Sequence, residues 1–229
     1  MLNTFIPLSA IGAGEPALTI ANTVVGFMLN APFTWPTNRA EDTSLVTVAG
    51  TQDYTLNLAN FGFLETVTLT NAASQSWAVP RIYNSSVLGK TSQQQARPEA
   101  CCVKLWTPGT SVSLRFMGAP DAIYTGTTTY QMAPVLFTDP SQDWFTQCNI
   151  PPNQMQIYNN LFLSECFQVN GDDQSAAQYR RRGMAALLAM ADGLTEMQKS
   201  MIFAQAMFSD LQTLAATIRT QSAGQARAI

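Results

Sequence analysis

Residues 15–30 read EPALTIANTVVGFMLN: an acid and Pro16, then Ile20, Val24, Phe27 and Met28 at helical spacing. This predicts an amphipathic helix, ended by the Asn30-Ala31-Pro32 break. A lone helix of about sixteen residues cannot bury such a stripe without partners, so the rest of the chain must supply them. The nearest sequence does not. Residues 32–38, PFTWPTN, set two prolines around Phe33 and Trp35, which suits an extended strap over a core edge.

From Leu45 to Met132 the period drops to two. LVTV, YTLNL, FLETVTLT, WAVPRIY, CVKLW, VSLRFM and IYTGTTTYQM are short runs rich in β-branched and aromatic residues. Turn signals separate them, at Ala49-Gly50, residues 60–62, 71–76, Pro108-Gly109 and Ala119-Pro120-Asp121. About six or seven strands of this kind predict an antiparallel sandwich or small barrel. Residues 84–99 break the rhythm and read as a long loop or short helix. After Met132 the pattern is helical again. Met155, Tyr158, Phe162, Cys166 and Val169 make one stripe, and Asn170-Gly171-Asp172 ends that helix and caps the next. The next stripe is Ala177, Arg180, Met184, Leu187, Leu188 and Ala191, up to the Asp192-Gly193 break. A last helix carries Met197, Met201, Ala204, Phe208, Leu211, Ala215 and Ile218 in steps of four and three, as a helix packed on other helices requires. Residues 223–229 have no periodicity and read as a tail.

The expected fold is therefore α+β: a helical bundle of one N-terminal and three C-terminal helices, interrupted by an inserted antiparallel β-sandwich or small barrel. Residues 1–44 form the arm and first helix, 45–138 the inserted β domain, and 139–229 the C-terminal bundle and tail.

Only 12% of the residues are charged, about half the usual share, so the surface is built from Thr, Gln, Asn and Ser or is covered by partner subunits. A net charge of -3 gives no field for holding a nucleic-acid backbone. The first residues lack Lys and Arg, and no apolar run reaches the roughly 20 residues of a membrane span, so neither a signal peptide nor a membrane helix is expected. Cys101, Cys102, Cys148 and Cys166 show no C-x-x-C spacing and read as small buried hydrophobes of a reducing cytosol.

Catalysis is not expected. The chain has no histidine, which removes every Ser-His-Asp and Cys-His constellation and the usual general base. The adjacent acids Glu41-Asp42 and Asp172-Asp173 read as caps at helix starts or as loop residues. Gly12 and Gly14 lack the preceding strand and third glycine of a dinucleotide fingerprint, so no cofactor or metal is implied. Arg180, Arg181 and Arg182 fan over roughly 200° of a helix, which suits a solvated face with ion pairs to Asp172, Asp173 or a neighbouring subunit.

The order of these patterns over residues 46–192 resembles the head-to-tail adaptor (connector) proteins of tailed phages. The resemblance is carried by VSLRFMGAPDAIYTGTTTYQMAPVLF (residues 112–137), then Trp144 in a link, then Ile150-Pro151 opening a helix with Tyr158, Leu161 and Phe162. It implies a structural virion protein in the neck between capsid and tail, made in the host bacterial cytoplasm, forming a homo-oligomeric ring of about twelve copies. Its partners would be the portal protein and a downstream tail or stopper protein, with DNA passing through the channel without specific binding. The tail would reach into the portal through Ser222, Gln225, Arg227 and Ile229, and Arg180, Arg181 and Arg182 become candidate intersubunit contacts. This chain departs from the commoner family pattern in the fourteen residues before its first helix and in a longer last helix. Two other readings stay open: another neck or tail layer, such as a stopper or tail-completion protein, and a carbohydrate- or receptor-binding sandwich with Trp77, Tyr83 and Trp106 as stacking platforms.

Overall fold

The computed structural model describes residues 16–82, 95–139, 141–142, 148, 150–209, 211 and 213–214. The described residues divide into two compact units, one built from those up to Asn38 and from 134–214, the other from Arg39–Ala133.

In the helical unit, α1 (Ala17–Met28) begins directly after Pro16. The cluster that buries Ile20, Val24, Phe27 and Met28 of α1 also contains Tyr158, Leu161 and Phe162 of α2 (Met155–Val169), Met184 and Leu187 of α3 (Asp173–Met190), and Ile202 and Ala206 of α4 (Glu196–Ala206). The opening helix thus shares one core with the three distant ones. Each large apolar side chain so buried contributes about 2 kcal/mol. Phe33 and Trp35 of the proline strap are buried in the same cluster, and the Trp35 indole N–H donates to the Met28 carbonyl at 2.7 Å. Asn22 fastens the returning chain twice. Its Nδ2 donates to the Phe137 carbonyl at 3.0 Å, and its Oδ1 accepts from the Phe137 N–H at 2.6 Å.

The turn between α2 and α3 follows the sequence closely. Gly171 takes a φ of 77°, the left-handed conformation that only glycine adopts cheaply, and Asp172 caps α3 by accepting from the Ser175 N–H at 3.0 Å. On α3, Ala176 faces inward and Ala177 outward. A Cβ at Gly183 would lie 2.8 Å from Leu161 Cγ and Cδ2 and 3.2 Å from the Leu161 backbone nitrogen, so α3 approaches α2 more closely there than any side chain allows.

The last helix corrects the sequence reading twice. α4 ends at Ala206 and a turn follows over Met207, Phe208 and Ser209, where one unbroken helix to Ile218 is expected from the periodicity. The first part of the expected packing stripe also faces outward, with Met197 75% exposed, Met201 46% and Phe208 92%, whereas Leu211 of the same stripe is buried as expected. Ile202, Ala206, Leu211 and Leu214 are the buried residues. The helix carries two apolar stripes, and the smaller one, ending in Ala206, lets it sit close to its neighbours.

The β unit has two antiparallel sheets around one core. The first has strand order β1-β9-β3-β4, with β1 Arg39–Val46, β3 Phe61–Thr70, β4 Ser76–Pro80 and β9 Thr125–Met132. The second has the order β2-β7-β6, with β2 Asp53–Leu56, β6 Ala100–Thr107 and β7 Ser111–Met117. β5 (Gln95–Ala96) and β8 (Ala119–Pro120) form a short parallel pair. Leu45, Leu64, Val67, Leu69 and Tyr130 of the first sheet share a buried cluster with Leu56, Val112, Leu114 and Phe116 of the second. Strand β1 begins six residues before the first apolar alternation at Leu45. Its outer part, RAED, is polar because β1 is a sheet edge, where charge discourages pairing with another chain. Glu41 and Asp42 therefore lie in a strand, which corrects the capping role expected of them.

Candidate functional surfaces

Four groups of polar and apolar side chains stand out, each within one unit. On the second sheet of the β unit, Asp53 of β2 is gripped by a cation from each of the other two strands, Arg115 of the adjacent β7 and Lys104 of β6 beyond it. Arg115 Nε donates to Asp53 Oδ1 at 2.6 Å and its NH2 to Oδ2 at 2.7 Å, while Lys104 Nζ donates to Oδ2 at 2.6 Å. The Arg115 hydrogen bonds, joined by that from Lys104, hold the Asp53 carboxyl down to about 2 against the opposing effect of burial. A carboxylate this firmly ionised cannot act as a proton donor or acceptor near neutral pH, so the triad is a cross-strand clamp.

The Trp77 cluster bears on carbohydrate stacking. Arg97 lies over the Trp77 ring at 3.9 Å, Tyr124 meets it edge-on at 5.0 Å, and the indole N–H donates to the Pro98 carbonyl at 3.2 Å. The face that a sugar would stack on carries a guanidinium instead. Trp106 is 43% exposed and leans edge-on against Phe61 at 5.8 Å. Tyr83, the third expected platform, lies outside the described residues. All four cysteines are free and buried. Burial pushes the Cys101 and Cys148 thiols up to about 12. Among the described residues no cluster of His, Cys, Asp and Glu could hold a metal ion, and no helix is long and apolar enough to cross a membrane.

In the helical unit the three arginines separate as their helical spacing dictates. Arg180 turns inward and is 8% exposed, which corrects the solvated face expected of it. Its NH1 donates to the Ser209 carbonyl at 2.7 Å and its NH2 to Glu165 Oε1 at 3.0 Å and to Gln168 Oε1. Glu165 on α2 is the ion-pair partner, in place of Asp172 or Asp173. The pair ties the turn after α4 to α2 and α3. Arg181 and Arg182 are exposed, and Arg182 also lies 5.9 Å over the Tyr179 ring. Ser222, Gln225, Arg227 and Ile229, the expected portal contacts, lie outside the described residues, as does Trp144.

The sequence reading missed the outward face of α4. Its four-and-three spacing was legible, but periodicity says only that a stripe seeks cover, not that the cover lies in the same chain. Beside that face, Leu188 and Ala189 of α3 and Glu196, Lys199, Ser200 and Phe203 of α4 line an open cleft of about 450 Å³.

A family model described as SU10 adaptor protein matches residues 22–221. No curated protein matches the chain.

Proposed function

This chain belongs to the SU10 adaptor protein family, a family of structural phage proteins, and from that premise we propose that it is an adaptor-ring subunit joining the portal of a tailed-phage head to the tail. The observation that carries the reading is the family match, which spans nearly all of both units. In this proposal about twelve copies pack side by side around the DNA exit channel, a head-to-tail contact that closes when the rotation per subunit fits. The helical unit lines the channel. Residues 222–229 engage the portal, and the exposed Arg181 and Arg182 serve neighbouring subunits, Arg180 being committed to Glu165 within its own unit. A net charge of -3 lets DNA pass without sticking. An enzymatic role has no support: the histidine-free sequence offers no general base of the usual kind, and Asp53 is locked in its ion triad.

Complementation in a phage lacking the protein tests this. Without it, DNA-filled heads and free tails are expected to accumulate, and the full chain restores joined particles whose necks contain it. A chain lacking residues 223–229 is expected not to restore joining. If that shortened chain supports joining fully, the portal contact is wrong and a stopper or tail-completion layer is the better reading. Absence of the chain from the neck overturns the proposal altogether.

A further inference from the structure

On one helix of the helical unit, α4 presents both an apolar ridge and a cleft that could receive such a ridge. The ridge is Met197, Met201 and Ala204 of α4, continued by Phe208 in the turn just after it, with exposures of 75%, 46% and 92% for Met197, Met201 and Phe208. Within α4 its steps of four and three residues, Met197 to Met201 to Ala204, are those of a coiled-coil seam, whose knobs fit the holes of another helical surface. The flanking residues Gln198, Ser200, Gln205 and Met207 are uncharged, so two copies would meet across this face without like-charge repulsion.

The cleft is lined by buried Leu188 and half-buried Phe203 together with exposed Ser200 and the Glu196–Lys199 ion pair, whose N···O distance is 3.2 Å. A surface that mixes apolar side chains with polar and charged ones is what a protein interface presents. At about 100° per residue, the ridge and the α4 residues of the cleft are separated by roughly 120° around the helix. They are two different patches facing different ways. A head-to-tail contact needs such a pair, since an isologous dimer would bring one patch against itself.

We propose that the Met197–Met201–Phe208 ridge of one subunit docks in the α3–α4 cleft of a second copy of this chain, forming the repeating contact of the ring. The proposal rests on the ring reading above and adds to it the surfaces that meet. The exposed part of the ridge is on the order of 400 Å², half of the roughly 800 Å² per partner that a stable pair buries. A single contact of this size is weak, and closure of the ring, in which every copy makes two, holds it together.

Cross-linking in the full chain tests the contact. One preparation carries Met201→Cys on the ridge, and the other carries Ala189→Cys at the cleft. Ala189 and Met201 are both exposed, and the four natural thiols are buried, so a short bis-maleimide addresses the new thiols only. At high protein concentration an equimolar mixture is expected to yield at least about tenfold more covalent dimer than either variant alone, because only a ridge-to-cleft contact brings the two thiols together. Adding Phe208→Ser to the Met201→Cys chain is expected to remove most of that product while leaving the helical circular dichroism unchanged. Dimer from Met201→Cys alone overturns the proposal in favour of ridge against ridge, and absence of dimer from the mixture overturns it outright. The contact and the ring reading can fail separately. Necks that contain the chain, with no mixed cross-link, sink the contact alone; a mixed cross-link, with the chain missing from necks, sinks the adaptor reading alone.

Discussion

Replacing Arg180 by Met tests whether the turn after α4 is held by a buried ion pair. The Arg180 and Glu165 side chains are 9% and 12% exposed, and the guanidinium also serves the Ser209 carbonyl and Gln168. Methionine fills much of the same space but leaves Glu165 as a nearly buried carboxylate without its cation. Breaking one side of a buried pair costs about 3–5 kcal/mol. The unsatisfied Arg180 Nε means the native pair is not fully compensated, so the lower end, about 3 kcal/mol, is expected. For a chain of this size that corresponds to a fall of about 6–12 °C in melting temperature. The measurement is urea unfolding followed by the helical circular dichroism signal. It should include Glu165→Gln and the double variant, because the cycle isolates the pair from the loss of packing. With the carboxylate neutralised, Arg180→Met should cost about 1–2 kcal/mol less than in the wild type. An additive cycle, or a single-variant cost below about 1 kcal/mol, would refute the buried latch.

Three further outcomes follow from the same geometry. Asp53 has a folded-state pKa of about 2, below its unfolded value of about 3.9, so its contribution is present above about pH 4 and is lost as pH falls through about 2. Discounted for its solvent exposure, that contribution is about 1 kcal/mol; Asp53→Asn should lower the urea midpoint at pH 7, with the difference closing near pH 2. Gly183→Ala should destabilise the protein by about 1 kcal/mol, since overpacking against Leu161 outweighs the gain in helix propensity; a neutral or stabilising effect in urea denaturation would show that α2 and α3 do not approach this closely. With all four cysteines buried, an aromatic disulfide reagent should titrate no thiol in the native protein and four in urea, and rapid native reaction would contradict their burial.

How much of this was legible in the sequence depends on which signal each element uses. α1, α2 and α3 announce themselves through stripes with one buried side and through Pro16, Gly171 and Asp172 at their ends, because capping chemistry is local and close to residue-specific. The common core of α1 with the distant helices was legible only as a need, an apolar face lacking a neighbour, and the fold meets that need in one way. The polar half of β1 could not be read. An edge strand with RAED on it has no alternation to detect, and only its ladder with β9 makes it a strand. Arg180 was half legible: its spacing put it in the stripe of α3, but its charge argued for a solvated face, because the carboxylate that lets it stay inside, Glu165, lies on a different helix.

α4 marks where periodicity stops being informative. Ile202 and Ala206 are four residues apart, as are Met197 and Met201, and both pairs satisfy a helical repeat. Hydrophobic content favours the methionine-bearing stripe as the inward one. The fold chooses the other, because a small residue at Ala206 permits close approach and Arg180 draws the following turn at Ser209 toward α2 and α3. A side chain such as Phe208, 92% exposed in the single chain, is costly to leave in water and contributes nothing to the core. Its exposure is what the proposed ridge-to-cleft contact would relieve. On α4 the buried pair Ile202 and Ala206 and the exposed pair Met197 and Met201 lie a few residues apart, so one short helix carries two apolar sets of which its own unit covers only one.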